Sequence, residues 1–182
     1  RTPTPPSRPE HAPAGRGGLV SYGGRPPRAV PDPTQKAMEL LVRREHSRRD
    51  LKRKLGLRGA APEEAEAAVE KLAALGYQDD DRFGASFARD RAAAGYGPVR
   101  IRQELAGHGL GRDQVEAALE ACETDWAASA RALVDKRFRP EQLADPARRR
   151  KAVDFLLRRG FDQNCTYAAV RARPDEDFDP AE

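Results

Sequence analysis

From Thr34 onward the apolar residues of this chain recur every three or four positions, and no alternating, strand-like stretch interrupts them. Asp32-Pro33-Thr34 leads into Ala37, Leu40 and Leu41, which share one face of a short helix. Ser47 stands where an N-cap would start a second helix carrying Leu51 and Leu55, and Gly59 ends it. Pro62, Glu63 and Glu64 open a third helix through Val69, Leu72 and Leu75. Helices this short are marginal alone, so the three are expected to bury their apolar faces against one another as a unit.

The unit repeats. Leu51-x3-Leu55-x3-Gly59 returns as Ile101-x3-Leu105-x3-Gly109 and as Ala152-x3-Leu156-x3-Gly160, and ten residues after each glycine stands Val69, Leu119 or Val170. The expected fold is all-α: three tandem three-helix repeats over residues 34–79, 80–125 and 126–172, stacked as an elongated, curved array. In the middle repeat Phe83, Phe87 and Ala94 lie near one helix face. Gly95-Tyr96-Gly97-Pro98 then turns a corner into a helix whose Ile101 and Leu105 point inward, leaving Arg100, Arg102 and Gln103 on other faces. The third repeat is the least regular. Trp126, Leu133 and Phe138 suggest its first helix, and Arg139 to Asp145 makes a longer connection than its counterpart in the second repeat.

Composition adds the two ends and a charge rhythm. Residues 1–33 hold nine prolines and five glycines, which predicts a disordered tail, with five arginines against Glu10 and Asp32; residues 173–182 form an acidic tail. Between them the net charge alternates: +6 over 34–59, −6 over 60–81, +4 over 82–112, −5 over 113–125, +6 over 126–160 and −4 over 161–182. The first two helices of each repeat are therefore basic and the third acidic. Either the basic helices form a stripe for an elongated anionic partner, or basic and acidic helices pair internally.

Little in the chain suggests chemistry. Cys122 and Cys165 form neither a CxxC pair nor a Cys/His cluster, so no disulfide framework, metal or cofactor is expected. His11, His46 and His108 show no carboxylate or nucleophile partner at a recognisable spacing, and Asp79-Asp80-Asp81 sits where a helix cap belongs; catalysis is not expected. The glycine corner lacks the strand and the Gly-Lys-Ser/Thr ending of a phosphate loop; Tyr96 between its glycines either packs at the corner or projects outward to stack on a base or partner. Trp126, Phe83, Phe87, Phe155 and Phe161 are expected in the core. No apolar run approaches the roughly 18 residues that cross a bilayer, and a soluble, cytoplasmic monomer without membrane contact is expected.

The run Arg43-Arg44-Glu45-His46-Ser47-Arg48-Arg49-Asp50-Leu51, with Lys54-Leu55 and Gly59, resembles the RREHS-x-x-EL-x-x-KL-x-x-x-G signature of the RecX family, bacterial regulators of the recombinase RecA. Gly76-Tyr77 with Asp80, Arg82-Phe83, Phe87, Arg91, Gly95, Gly97-Pro98, Arg100-Ile101 and Glu104-Leu105 continue it, as do Leu156 and Arg158-Arg159-Gly160-Phe161. The likeness covers about residues 37 to 170; Asp50 replaces the usual glutamate, Gln78 a common leucine, and the third repeat's first helix matches poorly. The resemblance implies three three-helix repeats, no catalysis, and binding in the groove of the RecA filament on DNA, usually inhibiting its ATP hydrolysis and strand exchange during DNA repair, recombination and the SOS response. The curved array would bridge recombinase subunits and touch DNA phosphate weakly and without sequence preference. The expected filament and DNA contacts are Arg43, Arg44, Arg48, Arg49, Lys52, Arg53, Lys54, Tyr96, Arg100, Arg102, Arg148, Arg149, Arg158 and Arg159. Two alternatives stay open: a general nucleic-acid-binding helical repeat protein, and an adaptor using its acidic third helices.

Overall fold

The computed structural model describes residues 32–171. The tails expected from composition lie outside these residues except for Asp32 and Pro33, which cap and open the first helix. Within them the helical spacing becomes nine α-helices and one short 3-10 turn, with no strand. The first repeat holds α1 (Pro33–Leu41), α2 (Arg48–Gly56) and α3 (Pro62–Ala74). The second holds α4 (Asp80–Ala93), α5 (Pro98–Gly107) and α6 (Arg112–Glu120). The third holds α7 (Trp126–Arg137), α8 (Pro146–Arg159) and α9 (Gln163–Val170), with the 3-10 turn Pro140–Ala144 in the long connection noted above.

Side-chain caps mark the starts. Ser47 accepts from the Asp50 amide, Asp79 from those of Asp81 and Arg82, Asp125 from Ala128 and Asp162 from Cys165. Such caps satisfy amides that a helix leaves without partners in its first turn. The acidic triplet is thus a cap, as its position suggests. Gly59, Gly109 and Gly160 all have φ near +90°, the left-handed region in which a side chain would be strained, and this is why the repeat pattern holds glycine there.

Each repeat has its own core, and the recurrent positions are its centre. Leu51, Leu55 and Val69 are fully buried in the first, Ile101 and Leu105 in the second, and Ala152 and Leu156 in the third. Burying one such leucine or isoleucine is worth about 2 kcal/mol, so these positions dominate each unit's stability. Ala152 fills less space than Leu51 or Ile101, and Leu143 of the 3-10 turn and Phe161 join the same core. Trp126 packs partly against both the second and the third core. Phe83 and Phe161 are buried as expected, whereas Phe87, Phe155 and Trp126 are only partly so.

Candidate functional site

The basic residues of the first two repeats do not form a bare stripe. Lys52 on α2 pairs with Glu66 on α3, and Arg102 on α5 makes a two-pronged bond to Glu116 on α6 at 2.8 and 3.0 Å. These two pairs occupy equivalent repeat positions, so the same ionic seam is built twice. Arg48 adds a 2.7 Å bridge to Glu70, and Arg53 turns back to Asp50 at 3.2 Å. Arg91 and Arg100 converge on Glu104 at 2.7 and 2.9 Å. Part of the charge alternation is therefore internal pairing in these repeats, while Arg43, Arg44, Arg49 and Arg58 are exposed and enter no ion pair among the described residues. In the third, Arg148, Arg150 and Lys151 are exposed on α8 and enter no ion pair among the described residues, while Arg149 donates through Nε to the Leu143 carbonyl at 3.0 Å.

At the junction of the first and second repeats, polar side chains fill the contact. Gln78 is buried; its amide donates to the His46 carbonyl at 3.3 Å and to Asp80 Oδ1 at 2.9 Å, and its oxygen accepts from Arg48 Nε at 3.2 Å. Asp80 Oδ1 also accepts from the Arg48 amide at 3.0 Å, so a residue of α4 caps α2. Arg82 donates to Glu45 and to the carbonyls of Gly76 and Tyr77. The Glu45 hydrogen bond raises the guanidinium above its ordinary range. Arg49 lies against Gly109, whose added Cβ would sit 3.3 Å from Arg49 Cδ.

His46 is wholly buried here. Burial first, then the positive charges of Lys54 and Arg44, lower its pKa to about 4, so the ring is neutral and Nδ1 can accept from Lys54 Nζ at 3.2 Å. Burial would raise Asp50, but the Arg53 hydrogen bond and the neighbouring positive charges hold it below its usual value. Asp50 oxygens lie 3.8 and 3.9 Å from the Nδ1 atoms of His46 and His108, longer than a hydrogen bond. The link from His46 is the helical i to i+4 spacing, visible in the sequence, and the His108 link is tertiary. His108 also stacks edge-on against Phe83 and Phe87.

The second and third repeats meet through backbone. The Gly97 amide donates to the Arg159 carbonyl at 2.8 Å and the Val99 amide to the Gly160 carbonyl at 3.0 Å. Unpartnered amides at the start of α5 thus meet unpartnered carbonyls at the end of α8, a positive helix end against a negative one. A Cβ on Gly97 would lie 2.4 Å from the Gly160 carbonyl carbon, and one on Gly160 2.3 Å from Arg100 Cβ. The Arg159 guanidinium donates to the carbonyls of Ala94 and Gly95 at 3.0 and 3.2 Å.

Tyr96 sits in this junction, half-buried against the second core instead of projecting outward. Arg100, Arg91 and Arg159 stand 4.4, 5.2 and 5.4 Å from its ring centre. Guanidinium groups over an aromatic face are attracted by its quadrupole, which explains why three cations can gather there. The structure therefore brings Tyr96, Arg100 and Arg159 together and adds Arg91. It leaves Arg43 and Arg44 exposed in the α1–α2 connection, and Arg158 exposed near the end of α8. Glu45, Gln78, Asp80, Arg82 and Arg91 were not among the expected site residues, although all but Gln78 belong to the motifs quoted above. Among the described residues no group of three or more His, Cys, Asp or Glu could hold a metal ion, and no helix is long and apolar enough to cross a membrane.

Comparison with known proteins matches each repeat separately. Family models described as the first, second and third three-helix domains of RecX match residues 34–72, 79–119 and 123–170. The chain is 54% identical over 139 residues to the "Regulatory protein RecX" of Xanthomonas campestris pv. campestris (strain B100), covering 76% of this chain and 86% of that protein. It is 50% identical over 144 residues to that of Stenotrophomonas maltophilia (strain R551-3), covering 79% and 88%. The crystal structure of RecX from Lactobacillus salivarius, 18% identical, shares the fold with a TM-score of 0.64 over 78% of this chain and 94% of that one. A second crystal structure, of a regulatory protein RecX, is 26% identical with a TM-score of 0.60 over 76% and 72%.

Proposed function

The chain belongs to the RecX family, and from that premise we propose that it is a non-enzymatic, cytoplasmic regulator of the recombinase RecA, bound as a monomer along the groove of the RecA filament on DNA. There it lowers ATP hydrolysis and strand exchange in DNA repair and recombination. The observation that carries the reading within this chain is the pair Arg148 and Lys151. They are exposed at the start of α8 without acidic partners among the described residues, while the seam cations of α2 and α5 are engaged. Exposed cations can meet phosphate or an acidic groove wall without first breaking an internal bond. This moves the expected contact towards the third repeat. Arg48, Lys52, Arg53, Arg100 and Arg102 serve the repeats and their junctions, and Arg43, Arg44 and Arg158 remain available on the surface.

Reversing Arg148→Glu and Lys151→Glu together should raise the concentration needed for half-inhibition of recombinase ATP hydrolysis at least about fivefold, with helicity unchanged. Co-sedimentation with recombinase filaments on single-stranded DNA should exceed co-sedimentation with naked DNA at matched salt. Undiminished inhibition by the double variant would remove α8 from the contact. Equal binding to coated and naked strands would favour a general nucleic-acid-binding protein instead.

A further inference from the structure

The first two repeats bridge their second and third helices with an ion pair, and the third does not. One residue after Leu51 and Ile101 stand Lys52 and Arg102, and seven after Gly59 and Gly109 stand Glu66 and Glu116, which pair with them. The same two positions of the third repeat hold Val153 and Tyr167. A second pair changes as well: Arg48 and Glu70 of the first repeat become Arg149 and Arg171, two like charges.

These changes line an open groove of about 620 Å³ between α8 and α9. Val153, Val170 and Tyr167 supply its apolar surface and Arg149, Arg150 and Arg171 its charge, and no described acidic residue lines it. Arg149 is held by the bond from its Nε to the Leu143 carbonyl, which leaves its terminal nitrogens without a bond among the described residues. Tyr167 is 55% exposed, so its ring lies in water beside three guanidinium groups. Tyr96 is the reverse case, a half-buried ring already engaged by Arg91, Arg100 and Arg159.

An unpaired nucleobase needs what this groove offers, an aromatic face in an open cleft with cations beside it for the sugar-phosphate chain. An acidic peptide would also satisfy the arginines, but the cations do not stop at the groove. Arg148 and Lys151, both exposed, extend them to four consecutive positive residues on α8, which suit a polymer with a charge on every unit.

We propose that the α8–α9 groove binds single-stranded nucleic acid, with Tyr167 stacked on one unpaired base and Arg149, Arg150 and Arg171 on the adjoining phosphates. This deepens the reading in which α8 meets DNA, and it requires no recombinase. The site reads no base identity, because every base has a π-face. Cations alone favour the denser charge of a duplex, whose bases are already stacked; the ring tilts binding towards the single strand.

The test titrates the full chain, at low salt and without recombinase, into a fluorescent oligo-dT and into an abasic oligonucleotide of the same length, which keeps the phosphates and lacks the bases. Oligo-dT should bind about tenfold more tightly, and Tyr167→Leu should abolish the difference by weakening oligo-dT alone, with helicity unchanged. Tyr167→Phe should keep it. So should Tyr77→Leu, which removes a ring of similar exposure, 52%, that stands near the acids of 79–81. Arg150→Gln with Arg171→Gln should weaken both oligonucleotides and lower the salt slope by about 1.4, two phosphates at about 0.7 each. A 5-iodouridine in the oligo-dT should crosslink to Tyr167. Equal affinity for the two oligonucleotides, an equal loss on both in Tyr167→Leu, no rescue by phenylalanine, an unchanged slope, or a crosslink that falls instead on Tyr77 or Tyr96 would overturn the site. Displacement of oligo-dT by an equimolar peptide of glutamates around one phenylalanine would assign the groove to a protein partner instead. With recombinase absent throughout, failure here leaves the filament reading standing, and undiminished binding here survives a failure of that reading.

Discussion

The two junctions between repeats join equivalent places, the start of one second helix and the glycine that ends the next, by opposite means. Ser47 and Gly97 occupy the same repeat position, eight residues before Leu55 and Leu105. With serine there, the side chain caps its own helix and the neighbouring repeat approaches through Gln78, Asp80 and Arg82. With glycine, nothing stands between the backbones, and α5 and α8 bond directly. One junction is polar and titratable and the other is set by the absence of a β-carbon. Repeats of the same fold can thus be coupled through side-chain chemistry or through steric fit, and the two respond to different perturbations.

The largest effect should come from adding the missing carbon. Gly97→Ala or Gly160→Ala places a Cβ within 2.4 Å of backbone or of Arg100 Cβ, and Gly160 would also have to hold φ of +86°. No side-chain rotation relieves a backbone clash, so the third repeat must separate from the second. A loss of about 4 kcal/mol is expected, or two unfolding transitions in place of one. Urea unfolding followed by Trp126 fluorescence, which reports on both adjoining cores, measures it. Alanine at Ser47 should cost only about 1 kcal/mol, the usual value of a lost cap. Equal losses at the two positions would erase the contrast.

Acid should act on the other junction. His46 titrates near 6.5 when unfolded and at about 4 when folded, because burial and the charges of Lys54 and Arg44 oppose its protonation. The unfolded chain therefore takes up the proton first. Stability from this group is complete above pH 6.5 and falls as the pH drops towards 4, by roughly 2 to 3 kcal/mol between pH 7 and 4.5. Asp50, held low by Arg53, loses its contribution only at lower pH. Urea unfolding of the parent and of His46→Gln at both pH values separates the terms. A pH slope of the same size in the variant would remove His46 as its source.

The helices were legible because their signals are local. Apolar spacing, Ser47, Pro62 and the three glycines lie within a turn or two of the boundaries they set, and the repeat made each prediction three times. The ion pairs were half legible: alternating charge announces pairing, but Lys52 finds Glu66 only once the register of two packed helices is known. The junctions were not legible. Gly97 reads as a helix stop, and its partner Gly160 lies far along the chain. Tyr96 between two glycines reads as either packed or exposed, and the cations of α4, α5 and α8 that converge on it do so only after the repeats have packed.

Gln78 gives the smallest and most selective test. Its side chain is the one group that touches His46, Arg48 and Asp80 together, and none of these contacts reaches the Gly97–Gly160 junction. Gln78→Leu keeps most of the buried volume. It withdraws the donor from the His46 carbonyl and the acceptor from Arg48 Nε. Asp80 can still accept from the Arg48 amide but loses the Gln78 amide that holds its carboxylate, so the cap on α2 weakens without disappearing and the loss should be confined to about 1–2 kcal/mol. Native-state hydrogen exchange places it: the Arg48 amide should lose protection while the Gly97 and Val99 amides keep theirs. Loss at all three would mean that the repeats open as one body, and the two junctions would then be parts of a single cooperative unit despite their different chemistry.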